Sequence, residues 1–215
     1  MKIGVFDSGV GGRSVANAIR KAVPEHEVLY AQDKKNVPYG MKSPETLFEL
    51  VLPILQDLVS KDCEVIVIAC NTVTTTIIPD LRKALPVPLV GIEPMVKPAV
   101  KLTKTGVVAV CATPTTLASK RYNELKKRYA QDVTVIEPDC SRWADMIEKD
   151  AIDQALIRDV VEESIQRGAD VIVMGCTHYH WIEKIVERIA LDRAIVLQPE
   201  EAVIKQLKRV LARLA

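Results

Sequence analysis

No stretch of this 215-residue sequence approaches the roughly 18 consecutive apolar residues of a membrane-spanning helix. Charge of one sign is equally lacking: 29 Lys and Arg face 28 Asp and Glu. With a formal net charge of +1, no general field draws in nucleic acid or an anionic membrane, and neither is expected as a partner. Any charged ligand must be held by local groups. A CxxC pair is missing too, and the five cysteines are an odd number scattered along the chain. That pattern does not suit a disulfide framework, so free thiols in a reducing compartment are expected. Met1 enters an apolar strand pattern directly, which predicts no signal peptide and a cytoplasmic location.

What is present is enough apolar material, 48% of residues, to bury a core in one large or two small domains. Short β-branched runs recur at Ile3 to Phe6, Val28 to Tyr30, Val65 to Ala69, Leu89 to Ile92, Gly106 to Val110, Val133 to Ile136, Val171 to Met174 and Ile195 to Leu197. Longer amphipathic stretches, such as Pro44 to Ser60 and Ile152 to Arg167, separate them. This alternation predicts an α/β fold with mainly parallel, buried sheets. Pro53 predicts a kink or break in the first of these helices.

The sequence also repeats itself. Asp7 precedes Cys70 by 63 residues and Thr113 precedes Cys176 by 63, so one offset of 106 superposes both pairs. The same offset lays Tyr30 on Ile136, Val90 on Val196, and EVIVIAC (64 to 70) on DVIVMGC (170 to 176). Two similar halves with a boundary near Lys97 to Thr105 follow. Ligands of open parallel sheets collect beyond the carboxyl ends of the strands, and Asp7, Cys70, Thr113 and Cys176 all stand at such ends. If the halves face one another, a ligand between them meets one cysteine from each side.

Two opposed thiols suit one task well. Inverting an amino acid at Cα requires a base on one face and an acid on the other. A thiol titrates near pH 8.5, so modest electrostatic help leaves one as thiolate and the other protonated. Taken singly, each cysteine reads first as inert filling of a strand end, and the repeat is what favours chemistry at Cys70 and Cys176; Cys63, Cys111 and Cys140 lack that setting and are read as structural. Asp7-Ser8-Gly9-Val10-Gly11-Gly12 is a tight strand-to-helix turn or an anion cradle. It is neither a Walker loop nor a complete dinucleotide fingerprint. Val37-Pro38-Tyr39-Gly40 reads as a turn, Thr113-Pro114-Thr115-Thr116 as a helix cap or a carboxylate-binding set of hydroxyls, and His178 as a packed histidine or a proton carrier beside Cys176.

FDSGVGG (6 to 12), PYG (38 to 40), ACNT (69 to 72) and GCTHY (175 to 179) together resemble the four signature segments of bacterial glutamate racemases, of the aspartate/glutamate racemase family. The resemblance implies two similar doubly wound α/β domains with the site in their cleft, divided as 1–97 plus 207–215 and 98–206, with a final helix near Lys205 to Leu214 returning to the first. It implies interconversion of L- and D-glutamate with no cofactor and no pyridoxal phosphate, D-glutamate for peptidoglycan, and often a homodimer. Cys70 and Cys176 match the paired catalytic cysteines, and Asp7 and His178 the residues that assist them. Ser8, Pro38, Tyr39, Gly40, Asn71, Thr72 and Thr177 match substrate-binding positions. Thr113 and Thr116 fall where the family places hydroxyls, and the spacing from Cys140 puts Glu148 on a family glutamate.

The sequence departs from that pattern at Ser141 and Asp145, where prolines are usual, at His180, where proline is common, and in having only 39 residues after Cys176. Three other readings stay open: an aspartate or broad-specificity racemase of the same fold, a non-catalytic relative that binds in the cleft, and a redox dithiol, the last only if the two sulfurs touch. A zinc site has little support, because Cys176 and His178 have no second pair at ligand spacing.

Overall fold

The computed structural model describes residues 1–214. Strands β1 (Lys2–Asp7), β2 (Glu27–Gln32), β3 (Cys63–Ile68) and β4 (Leu89–Gly91) form one sheet in the order β2-β1-β3-β4. A second sheet, from β5 (Val107–Cys111), β6 (Thr134–Ile136), β7 (Val171–Met174) and β8 (Ile195–Leu197), repeats that order as β6-β5-β7-β8. Every pairing is parallel. The fold is thus α/β with two similar halves, and the offset of 106 carries Leu89–Gly91 onto Ile195–Leu197.

Alternation within each strand fills both faces, because successive side chains point to opposite sides. In the first sheet Ile3, Val5, Val65 and Val67 pack with Val15, Ala16 and Ile19 of α1 (Gly12–Ala22). Phe6, Ile66 and Ile68 face the other way, against α2 (Pro44–Ser60) and α3 (Asn71–Ala84). The second sheet divides likewise. Val108, Val110, Val171 and Val173 meet α4 (Val96–Leu102) and α6 (Lys120–Tyr129). Ala109, Cys111, Ile172 and Met174 meet α7 (Trp143–Glu148), α8 (Gln154–Gln166) and α9 (Glu183–Ala190). One short helix, α5 (Pro114–Ala118), follows β5 and is capped by Thr113, whose hydroxyl accepts from the Thr116 amide.

Two expectations need correction. Pro53 does not break α2, which runs unbroken from Pro44 to Ser60; the proline lies on the exposed face, where water can satisfy the carbonyl it leaves without a donor. The last helix, α10 (Glu200–Leu214), starts five residues before Lys205. Pro199 precedes it and Glu200 and Glu201 fill its first turn, the chemistry that favours a helix start. Its Val203, Leu207 and Leu211 pack among the first sheet's residues. Among the described residues no helix is long and apolar enough to cross a membrane.

Candidate active site

Both sheets present their strand ends to the same cleft. At the end of β1 the Asp7 carboxylate is fully buried and collects three donors. The amides of Gly12 and Gly9 donate to Oδ2 at 2.8 and 3.2 Å, and the Thr177 hydroxyl of the other half donates to Oδ1 at 3.1 Å. Burial nevertheless raises its pKa, against the lowering by His178 and these hydrogen bonds. Beyond β3, Cys70 is the N-cap residue of α3, with its Sγ 3.6 Å from Ser8 Oγ. Burial first, and the negative Asp7 second, push the Cys70 thiol up to about 12.

The second half supplies the counterpart. Cys176 follows β7 and opens a 3-10 turn, Thr177–Ile182, which returns the chain sharply enough to bring His178 Nδ1 to 3.7 Å from Cys176 Sγ. On its other side His178 Nε2 donates to Glu148 Oε1 at 2.5 Å. The same oxygen accepts the Val10 amide at 3.0 Å, so Glu148 holds the imidazole and ties the halves together. Burial works against a charged His178, but the hydrogen bonds to Cys176 and Glu148 prevail and hold its pKa well above the usual imidazole value. The His178 hydrogen bond in turn lowers Glu148.

Hydroxyls and one amide complete the wall. Thr72 Oγ1 lies 3.0 Å from Thr113 Oγ1, and Thr113 donates to Thr116 Oγ1 at 2.9 Å. Both polar atoms of the Asn71 side chain are buried without a protein partner, which costs about 1–3 kcal/mol per group unless a ligand supplies one. Tyr39 lends its ring to the wall while its hydroxyl donates to Asp33 Oδ2 at 2.7 Å. The Gly40 carbonyl accepts both the hydroxyl and the amide of Thr115, at 2.5 and 3.2 Å, pinning this loop to the second half.

These groups enclose a cavity of about 20 Å³, room for about one water. That is too small for an amino acid. The cavity wall brings together Cys70 and Cys176 with Ser8, Pro38, Tyr39 and Gly40, and with Asn71, Thr72, Thr113, Thr177 and His178. Asp7, Glu148 and Thr116 stand behind it: Asp7 under Ser8, Glu148 behind His178, Thr116 behind Thr113. Ala144, which sequence reasoning passed over, also lines it. A larger hollow of about 810 Å³ on the far side of α3, bordered by β4, α4, α6 and α10, holds neither thiol. Among the described residues no group of three or more His, Cys, Asp or Glu could hold a metal ion.

Close approach of the halves depends on Gly11. A Cβ there would come within 2.5 Å of the backbone of Thr177 and His178, which cannot swing aside as a side chain can. Gly11→Ala is expected to force the halves apart and cost about 1–3 kcal/mol. Thermal unfolding checks it, at about 2–4 °C in Tm per kcal/mol for a chain of this size.

One thiol from each half of a duplicated α/β fold thus lines a single cleft. The family model described as Asp/Glu/Hydantoin racemase matches residues 12–207. The chain belongs to that family. It is a racemase, and its relatives agree. It is 38% identical to the glutamate racemase of Ectopseudomonas mendocina over 216 aligned residues, covering 98% of this chain and 82% of that one. The crystal structure of Escherichia coli glutamate racemase in complex with L-glutamate and the activator UDP-MurNAc-Ala superposes with a TM-score of 0.90 at 28% identity, covering 98% of this chain and 82% of that one. Glutamate racemase isoform RacE1 from Bacillus anthracis gives 0.86 at 28% identity, with 98% and 81% covered.

Proposed function

We propose that this racemase interconverts L- and D-glutamate, without pyridoxal phosphate or any other cofactor, by passing protons between Cα and two thiols. The observation that carries the reading is that Cys70 and Cys176, from equivalent strand ends of the two halves, line one cavity. Each has polar company of its own: Ser8 and Asp7 beside Cys70, His178 and Glu148 beside Cys176.

Substrate carboxylates would be held by the unpartnered Asn71 amide and by the hydroxyls of Ser8, Thr72, Thr113 and Thr177, with Thr116 orienting Thr113 from behind. Pro38, Tyr39 and Gly40 form the lid that Thr115 fastens. Closing over the substrate expels water and strengthens every one of these interactions. One thiolate then removes the Cα proton, charge spreads into the adjacent carboxylate, and those fixed donors meet it as it develops. The opposite thiol returns a proton to the other face. A thiol held near 12 is a proton donor at neutral pH, so Cys70 enters as the acid and Cys176 as the base, with the His178 imidazolium facing the sulfur. For the other enantiomer the roles exchange.

Glutamate is favoured over aspartate because relatives 38% identical over nearly the whole chain are glutamate racemases. Incubation in D₂O with each enantiomer of both amino acids, followed by NMR and polarimetry, tests this. Deuterium at Cα with inversion of glutamate, and at least about tenfold slower turnover of aspartate, a gap that one methylene can supply, is the expected result. Comparable rates on both would replace the reading with a broad-specificity racemase. Folded protein that exchanges neither would leave a binding role. D-glutamate made in the cytoplasm would serve peptidoglycan synthesis, and rescue of a D-glutamate auxotroph checks that role. The division of the chain into 1–97 plus 207–215 and 98–206 belongs to the same proposal, supported by Leu207 and Leu211 packing on the first sheet.

A further inference from the structure

Nothing in the proton-transfer scheme uses His180. It sits in the same 3-10 turn as Thr177 and His178, two residues beyond the latter. Its Nδ1 lies 3.3 Å from Glu183 Oε2 on α9 and 3.4 Å from Glu200 Oε1 at the start of α10. Glu200 belongs to the helix packed on the first sheet, and its Oε1 also accepts the hydroxyl of Ser14 on α1 at 3.3 Å. The imidazole therefore stands between a carboxylate of its own half and one anchored to the other.

We propose that His180 is a protonation-dependent clasp, whose imidazolium draws Glu200 and Glu183 together across the seam and sets how tightly the two halves close over the site. Its Nδ1 is buried yet meets neither carboxylate at hydrogen-bonding angles, so charge rather than a directional bond makes the contact. The groups facing it are Glu183 from α9, Glu200 from α10, whose Oε1 Ser14 of α1 also holds, and the edge-on ring of Trp181. All the titratable ones are acidic. Burial and the negative Glu187 and Glu200 raise Glu183 while His180 lowers it, as expected of carboxylates that need a cation between them. A charged imidazole attracts both carboxylates; a neutral one leaves them facing each other and the seam loosens. The turn is short, so its position bears directly on Thr177 and His178.

The charge coupling stands on geometry alone, while its effect on catalysis rests on the glutamate reading. Thermal unfolding of the wild type, His180→Gln, Glu200→Gln and the double variant at pH 6.0 and 8.5 reads the first. Non-additive losses at pH 6.0 that vanish at pH 8.5 are expected. Additivity at both values, or equal coupling at both, would overturn the clasp. KM for glutamate reads the second: the ratio of His180→Gln to wild type should be about two- to fivefold larger at pH 6.0 than at 8.5, the range of partly exposed ion pairs, with little change in kcat. A ratio that stays constant would remove the link to closure. A wild type that turns over no glutamate would defeat the proposed function, and the unfolding cycle would still decide the clasp.

Discussion

Alanine at either Cys70 or Cys176 is expected to lower glutamate racemisation by at least about a thousandfold, within the range for removing a positioned acid or base, while the protein stays folded. Both cysteines are small and buried, so the truncation removes one sulfur and little packing. The diagnostic lies in what survives. A single thiol still faces one side of Cα. It can remove a proton from the enantiomer it faces and return deuterium to the same side, giving exchange in D₂O without inversion. Cys70→Ala and Cys176→Ala should therefore exchange opposite enantiomers. Because inversion needs both groups in one turnover, the double variant should racemise no more slowly than the singles by any multiplicative rule. Serine should not rescue either position, since an alcohol is far too weak an acid and too poorly ionised to replace a thiol. Racemisation at near wild-type rates in either single variant would mean that some other group does the chemistry.

The parts of this molecule that were legible in its sequence are those with a strong period or a repeated pattern. Eight strands announced themselves because parallel sheets covered on both faces need near-continuous β-branched runs, and even the half-buried edge strands β2, β6 and β8 keep such runs. The offset that aligned Asp7 with Thr113 and Cys70 with Cys176 brought the site forward with them, since equivalent strand ends must face the same cleft once the halves oppose. What escaped were contacts made by chance of approach rather than by period. Ala144 has no chemistry to mark it, though it stands four residues before Glu148 on α7 and so shares a helix face with it. Asp33 and Thr115 act through Tyr39 and Gly40, and neither partnership is written in sequence spacing. Thr116 looked like Thr113 in one dimension; three residues on, it falls behind it. Pro53 did not break α2 because it falls on the exposed face, where water can take the place of the missing donor.

The pairing of Glu148 with His178 leads to the remaining large effect, and its sign can be worked out in advance. His178 is buried and would by burial alone lose its proton easily; the hydrogen bonds to Cys176 and Glu148 reverse that. Glu148→Gln keeps the size of the side chain and an oxygen for the Val10 amide, but removes the charge. Burial should then prevail, the pKa of His178 should fall, and the alkaline limb of kcat/KM should move to lower pH. A shift of one unit or more corresponds to at least about a tenfold loss on that limb, with a smaller loss near pH 6. Stability follows the same linkage. The contribution of His178, raised in the folded state, is complete below about pH 6.5 and disappears as pH climbs through its folded value. That of Glu148, lowered in the folded state, is complete above the ordinary glutamate value and disappears as pH drops through its folded one. The pair thus supports the fold most between the ordinary glutamate value and about pH 6.5, and Glu148→Gln should narrow the difference in Tm between that range and alkaline pH. A pH profile that merely scales down, with both limbs unmoved, would reduce Glu148 to a latch on Val10.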